Sequence, residues 1–357
     1  TPMKRISGLT GNAAAAESLR QIEPDVVAAY PITPSTEVVE LFSQYVSDGK
    51  VSTEFVAVES EHSAMSACIG ASAAGARVAT ATSSQGLLYM AELLGVASGL
   101  RLPLTMALAN RSVSAPLNIH GDHSDAMFVR DSGWIQLFCE DAQEVYDTLL
   151  QAVLITEDPS VRLPIMVCYD GFTLSHTMER VETIEDAKVK SWVKNALHRT
   201  SLLESGRDVT IGSVALPDYF TEHKRQQAEA MAWAESRTIP DVGKQFAKLF
   251  GRDYGLIDEH LCSDADVIMV MLGSSAGAAK EAASLLRRHG LRAGVLRVRS
   301  FRPFPYKAVR EALGSAEAVA VLDRTSALGS AGPLFQEVQT ALYGLDFRPQ
   351  CLSFIGG

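Results

Sequence analysis

The 357-residue chain has no cysteines in C-x-x-C spacing. Its five cysteines stand apart at 68, 139, 168, 262 and 351, mostly with apolar neighbours. This excludes a local iron–sulfur cluster or zinc ribbon, and isolated thiols in odd number fit reduced packing residues. Long hydrophobic runs are also missing: none reaches the roughly 18–20 residues that span a bilayer. Thr1-Pro2-Met3-Lys4-Arg5 leads into no apolar signal segment, so a cytoplasmic protein with no membrane association is expected. Positive charge is in deficit. Lys and Arg number 32 against 42 Asp and Glu, and the net charge of −10 argues against a nucleic-acid face.

What is present describes an α/β protein. Hydrophobic residues make up 47% and charged residues 21%, and the length suits about two domains. Val26–Ala29, Glu54–Val58, Arg77–Thr82, Leu104–Ala109 and Pro164–Tyr169 read as strands. Between them Ser35–Tyr45, Glu61–Ala74 and Leu87–Ser98 have helical spacing, and Ser83-Ser84-Gln85-Gly86 reads as a polar loop. Continuous apolar strands alternating with helices predict a doubly wound parallel sheet covered on both faces. The pattern weakens from 177 to 240, where an amphipathic helix is expected over Tyr219–Arg237. It resumes with strands at 266–272, 293–298 and 318–323 and a helix over Ala278–His289, a second and smaller α/β domain. The expected division is 1–240 and 241–357, and the chain is expected to continue beyond Gly357. Gly273-Ser274-Ser275-Ala276-Gly277 looks like a phosphate loop, but no Lys-Ser or Lys-Thr follows it, and it reads first as a tight βα turn.

The most informative stretch is Tyr30-Pro31-Ile32-Thr33-Pro34-Ser35-Thr36, directly after a strand. Two prolines stiffen it, and Ser35 or Thr36 can cap the helix that follows. Three further strand-end segments belong with it: Glu59-Ser60-Glu61-His62, Ser83–Gly86, and Asn110-Arg111 with Pro116 to Asp125. A doubly wound sheet brings such segments to one edge, where open α/β folds bind ligands. His120, Asp122, His123 and Asp125 could in principle ligate a metal, but Gly121 breaks the spacing and no partner cluster exists, so no metal site is expected.

These four segments, in this order, resemble the alpha subunit of pyruvate:ferredoxin oxidoreductase and its 2-oxoacid relatives. Arg299–Pro305 and Val321-Leu322-Asp323-Arg324 resemble the second domain of that subunit. The resemblance implies a thiamine diphosphate pyrimidine-binding domain followed by a transketolase C-terminal-like domain. It assigns Glu61 to the aminopyrimidine ring as the catalytic carboxylate, with Glu59 second. Thr33 and Arg111 are implied to bind the substrate, and Pro31, Ile32, Ser84 and Gln85 the cofactor. Asn118, His120, Asp122 and His123 would shape the pocket and a subunit contact. Pyruvate-specific relatives carry a bulkier aromatic where His120 stands, and often Asn at Gly121, which leaves the 2-oxo acid open.

The chain lacks a Gly-Asp-Gly followed by a matching Asn, the magnesium and diphosphate signature of thiamine enzymes. The resemblance therefore implies thiamine diphosphate shared with a beta subunit that holds Mg2+ and the diphosphate. It further implies a gamma-like subunit, a ferredoxin-like delta subunit with iron–sulfur clusters, ferredoxin as acceptor, coenzyme A as co-substrate, and a dimer of heteromers. The expected reaction converts pyruvate to acetyl-CoA and CO2, or runs in reverse. Alternatives are the same chemistry on a branched-chain, aryl or dicarboxylic 2-oxo acid, a non-catalytic assembly subunit, or a nucleotide-binding protein using 273–277. The joint presence of Thr33, Glu61 and Arg111 speaks against the assembly role.

Overall fold

A computed structural model describes residues 5–194, 196, 201–206, 208–346 and 348–356. The readings that fall on Thr1–Lys4 and Gly357 lie outside them. The first part runs β1 (Arg5–Leu9), α1 (Gly11–Ile22), β2 (Val26–Ala29), α2 (Thr36–Ser47), β3 (Glu54–Ala57), α3 (Glu61–Ala73), β4 (Val78–Thr82), α4 (Ser84–Tyr89), α5 (Ala91–Gly99), β5 (Leu104–Asn110), α6 (Ser124–Phe128), β6 (Ile135–Phe138), α7 (Ala142–Glu157), β7 (Ile165–Asp170), β8 (Glu179–Thr183), α8 (Asp186–Val193), α9 (Pro217–Trp233) and α10 (Ile239–Phe250). The second runs β9 (Ile257–His260), β10 (Val267–Met271), α11 (Ser275–Arg288), β11 (Ala293–Val298), β12 (Ser300–Arg302), α12 (Tyr306–Leu313), β13 (Ala318–Asp323), α13 (Pro333–Leu342) and β14 (Gln350–Ile355).

The expected parallel sheet forms, in the order β12-β6-β7-β5-β4-β2-β3, and all its strands but β12 are parallel. Central strands β4, β5 and β7 are buried along their whole length, as apolar strands covered on both faces must be. The second sheet has the order β14-β13-β10-β11-β9, with only β9 antiparallel. The two domains interlock. β12, which follows the second domain's β11, pairs with β6 of the first sheet. Beside it, Arg297 Nη1 and Arg299 Nε donate to buried Glu144 on α7 at 2.8 and 2.7 Å.

Three expectations change. The loop Ser83–Gly86 is the first turn of α4, and the expected helix 87–98 is interrupted at Met90. The helix over 219–237 is α9 followed by a π-helical turn at Ala234–Thr238, and within α9 only Ala230 is buried. Ser35 occupies the N-cap of α2 but does not cap it; its hydroxyl turns back to the Ile32 carbonyl at 2.9 Å. Seven helices, α1, α6, α7, α8, α10, α12 and α13, go unread in the sequence. α7 is buried on nearly every side, its polar residues Glu144, Asp147, Thr148 and Gln151 included, and α1 is alanine-rich and nearly as enclosed.

Candidate active site

The chain leaves β2 for β3 on one side and returns to β4 on the other, so β2 and β4 flank a topological switch point. Loops diverge there and open a crevice at the strands' C-terminal ends. The four segments singled out from the sequence all reach this edge.

Thr33 lies exposed in the turn after β2. Its carbonyl accepts from Arg111 Nη1 at 2.9 Å, and its hydroxyl has no partner among the described residues. Asn12 on α1 anchors the turn by donating to the Pro34 carbonyl at 2.7 Å, and Tyr169 in turn donates to Asn12 Oδ1 at 2.9 Å. Pro31 is exposed and Ile32 half-buried beside it. Arg111 is buried, spends Nε on the Asn118 carbonyl at 3.1 Å, and forms no ion pair with any described residue. A buried guanidinium without a counter-ion is costly unless an anion arrives.

Glu61 opens α3, after Ser60 has capped the helix through the Ser63 N–H. Its side chain is buried at 8% exposure yet has no hydrogen-bond or ion-pair partner among the described residues. Glu59, the competitor, is exposed. Gly86 on α4 lies so close that a Cβ there would stand 2.7 Å from Glu61 Oε1. Nearby hydroxyls are equally unused: Thr80 Oγ1, Thr82 Oγ1 and Ser83 Oγ are buried without partners. Ser84 is different. Its hydroxyl lies 2.6 Å from the Ser112 carbonyl and 2.5 Å from Gln85 Oε1.

Asp125 joins these pieces and was legible in the sequence only as a conceivable metal ligand. Fully buried, it accepts from Ser84 N and Arg111 N at 3.0 Å each, from Asn110 Nδ2 at 2.8 Å and from Ala126 N at 2.7 Å. Burial pushes its carboxyl up to about 6, against the pull of these donors. The ends of β4 and β5 therefore hang on one carboxylate.

The remaining expected residues divide. Asn118 is exposed, and its side chain accepts from the His120 N–H at 3.0 Å. His120 is exposed beside Phe172, which stacks on His176. Asp122 accepts from Ser124 N and Oγ in a local turn. His123, expected at the pocket or a subunit contact, is enclosed within this chain by Asp170 at 2.7 Å and packed against Phe138. The run thus passes from exposed His120 through half-buried Asp122 to buried His123 and Asp125, and no metal-binding group of acids, histidines and cysteines occurs among the described residues.

A doubly wound parallel domain open at its switch point, with a buried acid there that has no partner among the described residues, backed by a second α/β domain, defines a two-domain α/β protein with a ligand crevice at its strand ends. Comparison with known proteins narrows that class. Residues 17–240 match the family described as pyruvate flavodoxin/ferredoxin oxidoreductase, thiamine diphosphate-binding, and residues 265–357 match pyruvate:ferredoxin oxidoreductase core domain II. The pyruvate synthase subunit PorA of Thermotoga maritima is 48% identical over 98% of this chain and 89% of its own length. The ketoisovalerate oxidoreductase subunit VorA of Pyrococcus abyssi is 41% identical over 100% of this chain and 89% of its own. Among solved structures, 2-oxoglutarate:ferredoxin oxidoreductase from Magnetococcus marinus superposes with a TM-score of 0.78 at 19% identity, covering 99% of this chain and 63% of that one. The chain belongs to the pyruvate flavodoxin/ferredoxin oxidoreductase family.

Proposed function

We propose that this chain is the alpha subunit of a pyruvate:ferredoxin oxidoreductase and contributes half of its thiamine diphosphate site. The reaction is oxidative decarboxylation of pyruvate to acetyl-CoA and CO2, with electrons leaving through iron–sulfur clusters to ferredoxin, or the reverse. Glu61 carries the reading: a buried acid with no partner among the described residues, in the domain matched to thiamine diphosphate binding. Bound thiamine diphosphate supplies the carbon nucleophile that attacks a 2-oxo group.

Glu61 would accept a hydrogen bond from the aminopyrimidine ring and hold its proton there. Pro31, Ile32, Ser84 and Gln85 would wall that ring. Arg111 already commits Nε and Nη1 to carbonyls, which leaves Nη2 for a substrate carboxylate, and its planar fork is fixed before substrate arrives. The Thr33 hydroxyl, held by its two prolines, would donate to the same anion.

Mg2+ and the diphosphate fall to a beta subunit, because the chain has no Gly-Asp-Gly signature. Gamma-like and ferredoxin-like subunits complete a cytoplasmic dimer of heteromers, with coenzyme A as co-substrate. A branched-chain substrate is the second reading, favoured by the relative named for ketoisovalerate. The test is Glu61→Gln in the complex purified with its partners. Turnover with pyruvate is expected to vanish while the brown iron–sulfur complex still assembles; normal 2-oxo acid oxidation by that variant overturns the assignment.

A further inference from the structure

The second domain reaches the candidate site through a buried ionic knot centred on Asp170 at the end of β7. His123 Nε2 lies 2.7 Å from Asp170 Oδ1, and Arg324 Nη1 lies 3.0 Å from the same oxygen. The Ser274 N–H donates to Asp170 Oδ2 at 2.8 Å, and the Ser274 hydroxyl binds that oxygen as well. The loop that resembled a phosphate cradle thus already holds an anion, this chain's own aspartate. Arg324 and Ser274 follow β13 and β10, two strands of the second sheet, whereas His123 and Asp170 belong to the first domain.

Arg324 does more than neutralise Asp170. Its Nη2 donates to the Gly121 carbonyl at 2.9 Å, and its own carbonyl accepts from the His123 N–H at 2.9 Å. Segment 121–123 is therefore gripped by side chain and backbone together. Two residues further on, Asp125 takes the N–H groups of Arg111 and Ser84. Ser124 accepts from the Val113 N–H at 2.9 Å, and the His120 carbonyl accepts from Ser112 N at 3.2 Å. A continuous chain of short contacts runs from the second domain to the backbone that aims Arg111.

We propose that Arg324 is a positioning residue of the active site, by which the second domain sets the register of segment 121–125 and so the aim of Arg111. This rests on the reading of Arg111 as the substrate's cationic partner. The grip is a fixed one: Asp170 is 0% exposed and His123 1% exposed.

The experiment uses the assembled complex carrying Arg324→Gln, Arg324→Lys or Arg111→Gln, with steady-state kinetics and amide hydrogen exchange over residues 111–125. In Arg324→Gln the KM for the 2-oxo acid is expected to rise about ten- to a hundredfold, the size of losing one well-aligned hydrogen bond between charged groups. Exchange at Ser112 and Val113 should quicken with it. Arg324→Lys keeps the charge on Asp170 but cannot also reach Gly121, so it should recover part of the KM. Unchanged exchange in Arg324→Gln refutes the grip. A fall in kcat at constant KM refutes the positioning role, because lost active enzyme alone would produce it. Quickened exchange with unchanged KM refutes the positioning role as well, provided that Arg111→Gln does raise KM. If Arg111→Gln leaves KM unchanged, the substrate reading of Arg111 has failed instead, and exchange alone decides whether the grip exists.

Discussion

Gly86→Ala separates the stability of this fold from the chemistry of its site. A Cβ at Gly86 would stand 2.5 Å from Thr82 Oγ1, 2.7 Å from Glu61 Oε1 and 2.9 Å from Glu61 Cγ. Ordinary contact begins near 3.4 Å, so the Glu61 carboxylate must withdraw by about 0.7 Å. Overpacking of one methyl group costs about 1–3 kcal/mol. Alanine recovers about 0.8–1.0 kcal/mol of that through its helix propensity. The net loss of about 0–2 kcal/mol leaves the protein folded. Catalysis is less forgiving: a shift of this size in a group that must meet a ring nitrogen costs about ten- to a hundredfold.

The assay is turnover of the assembled enzyme under saturating thiamine diphosphate and 2-oxo acid, beside its thermal midpoint. Gly86→Ala should lose most of its turnover while the midpoint moves by only a few degrees. Gly70→Ala is the control, because it lies on α3 with Glu61 but a Cβ there meets nothing within 4 Å. That change should leave turnover intact and stabilise the chain by about 0.4–1 kcal/mol. Wild-type turnover in Gly86→Ala would refute the placement of Glu61 at the reacting centre.

Two further perturbations test the joint between the domains. Glu144→Gln removes the buried charge between Arg297 and Arg299 and should cost about 3–5 kcal/mol in urea unfolding; a loss below about 1 kcal/mol would show that the arginines find other partners. For Asp170, burial alone would push the carboxyl up, but His123, Arg324 and Ser274 outweigh it and hold the group well below the usual carboxylate range. The unfolded chain then binds the proton more readily, so this stabilisation is complete above about pH 4 and fades as the pH falls further. Urea unfolding of wild type and Asp170→Asn should therefore differ most near neutrality and converge in acid, and a gap that widens on acidification would contradict the ionic reading.

The parallel sheet and its edge were legible because they rest on local signals. Apolar strands such as Leu104–Ala109 announce themselves, and prolines, capping residues and glycines mark where they end. α7 was not read although Gln143, Glu144, Asp147, Thr148 and Gln151 recur at helical spacing; that Arg252, Tyr254, Arg297 and Arg299 bury this stripe is a tertiary fact that periodicity does not carry. Nor were the roles of Asn12, Asp125 and Asp170. Each is an ordinary polar residue whose importance comes from partners far away in sequence: Pro34 for Asn12, Ser84 for Asp125, Ser274 and Arg324 for Asp170. The same distance explains His123, which looks like a surface ligand beside His120 until the second domain closes over it.

What distinguishes the crevice is where polar groups go unused. Folded chains pair nearly all their buried polar atoms, because an unpaired one costs about 1–3 kcal/mol. This chain pairs Asp125, Asp170 and Glu144 fully, at real structural expense. Yet among its described residues, four of the six buried side-chain atoms without partners, on Thr80, Thr82, Ser83 and Asn110, lie on the adjacent strands β4 and β5 and the turn after β4, the other two being Ser132 Oγ and Gln136 Oε1 before and on β6. Glu61 and Arg111, an acid and a base each without an ionic partner among the described residues, flank the same edge. A scaffold able to neutralise its own ions elsewhere would gain by pairing these two with each other or with neighbours. That it holds them apart, Arg111 fixed by two carbonyls and Glu61 left unpaired among the described residues, fits a surface completed by a ring, an anion and a second subunit.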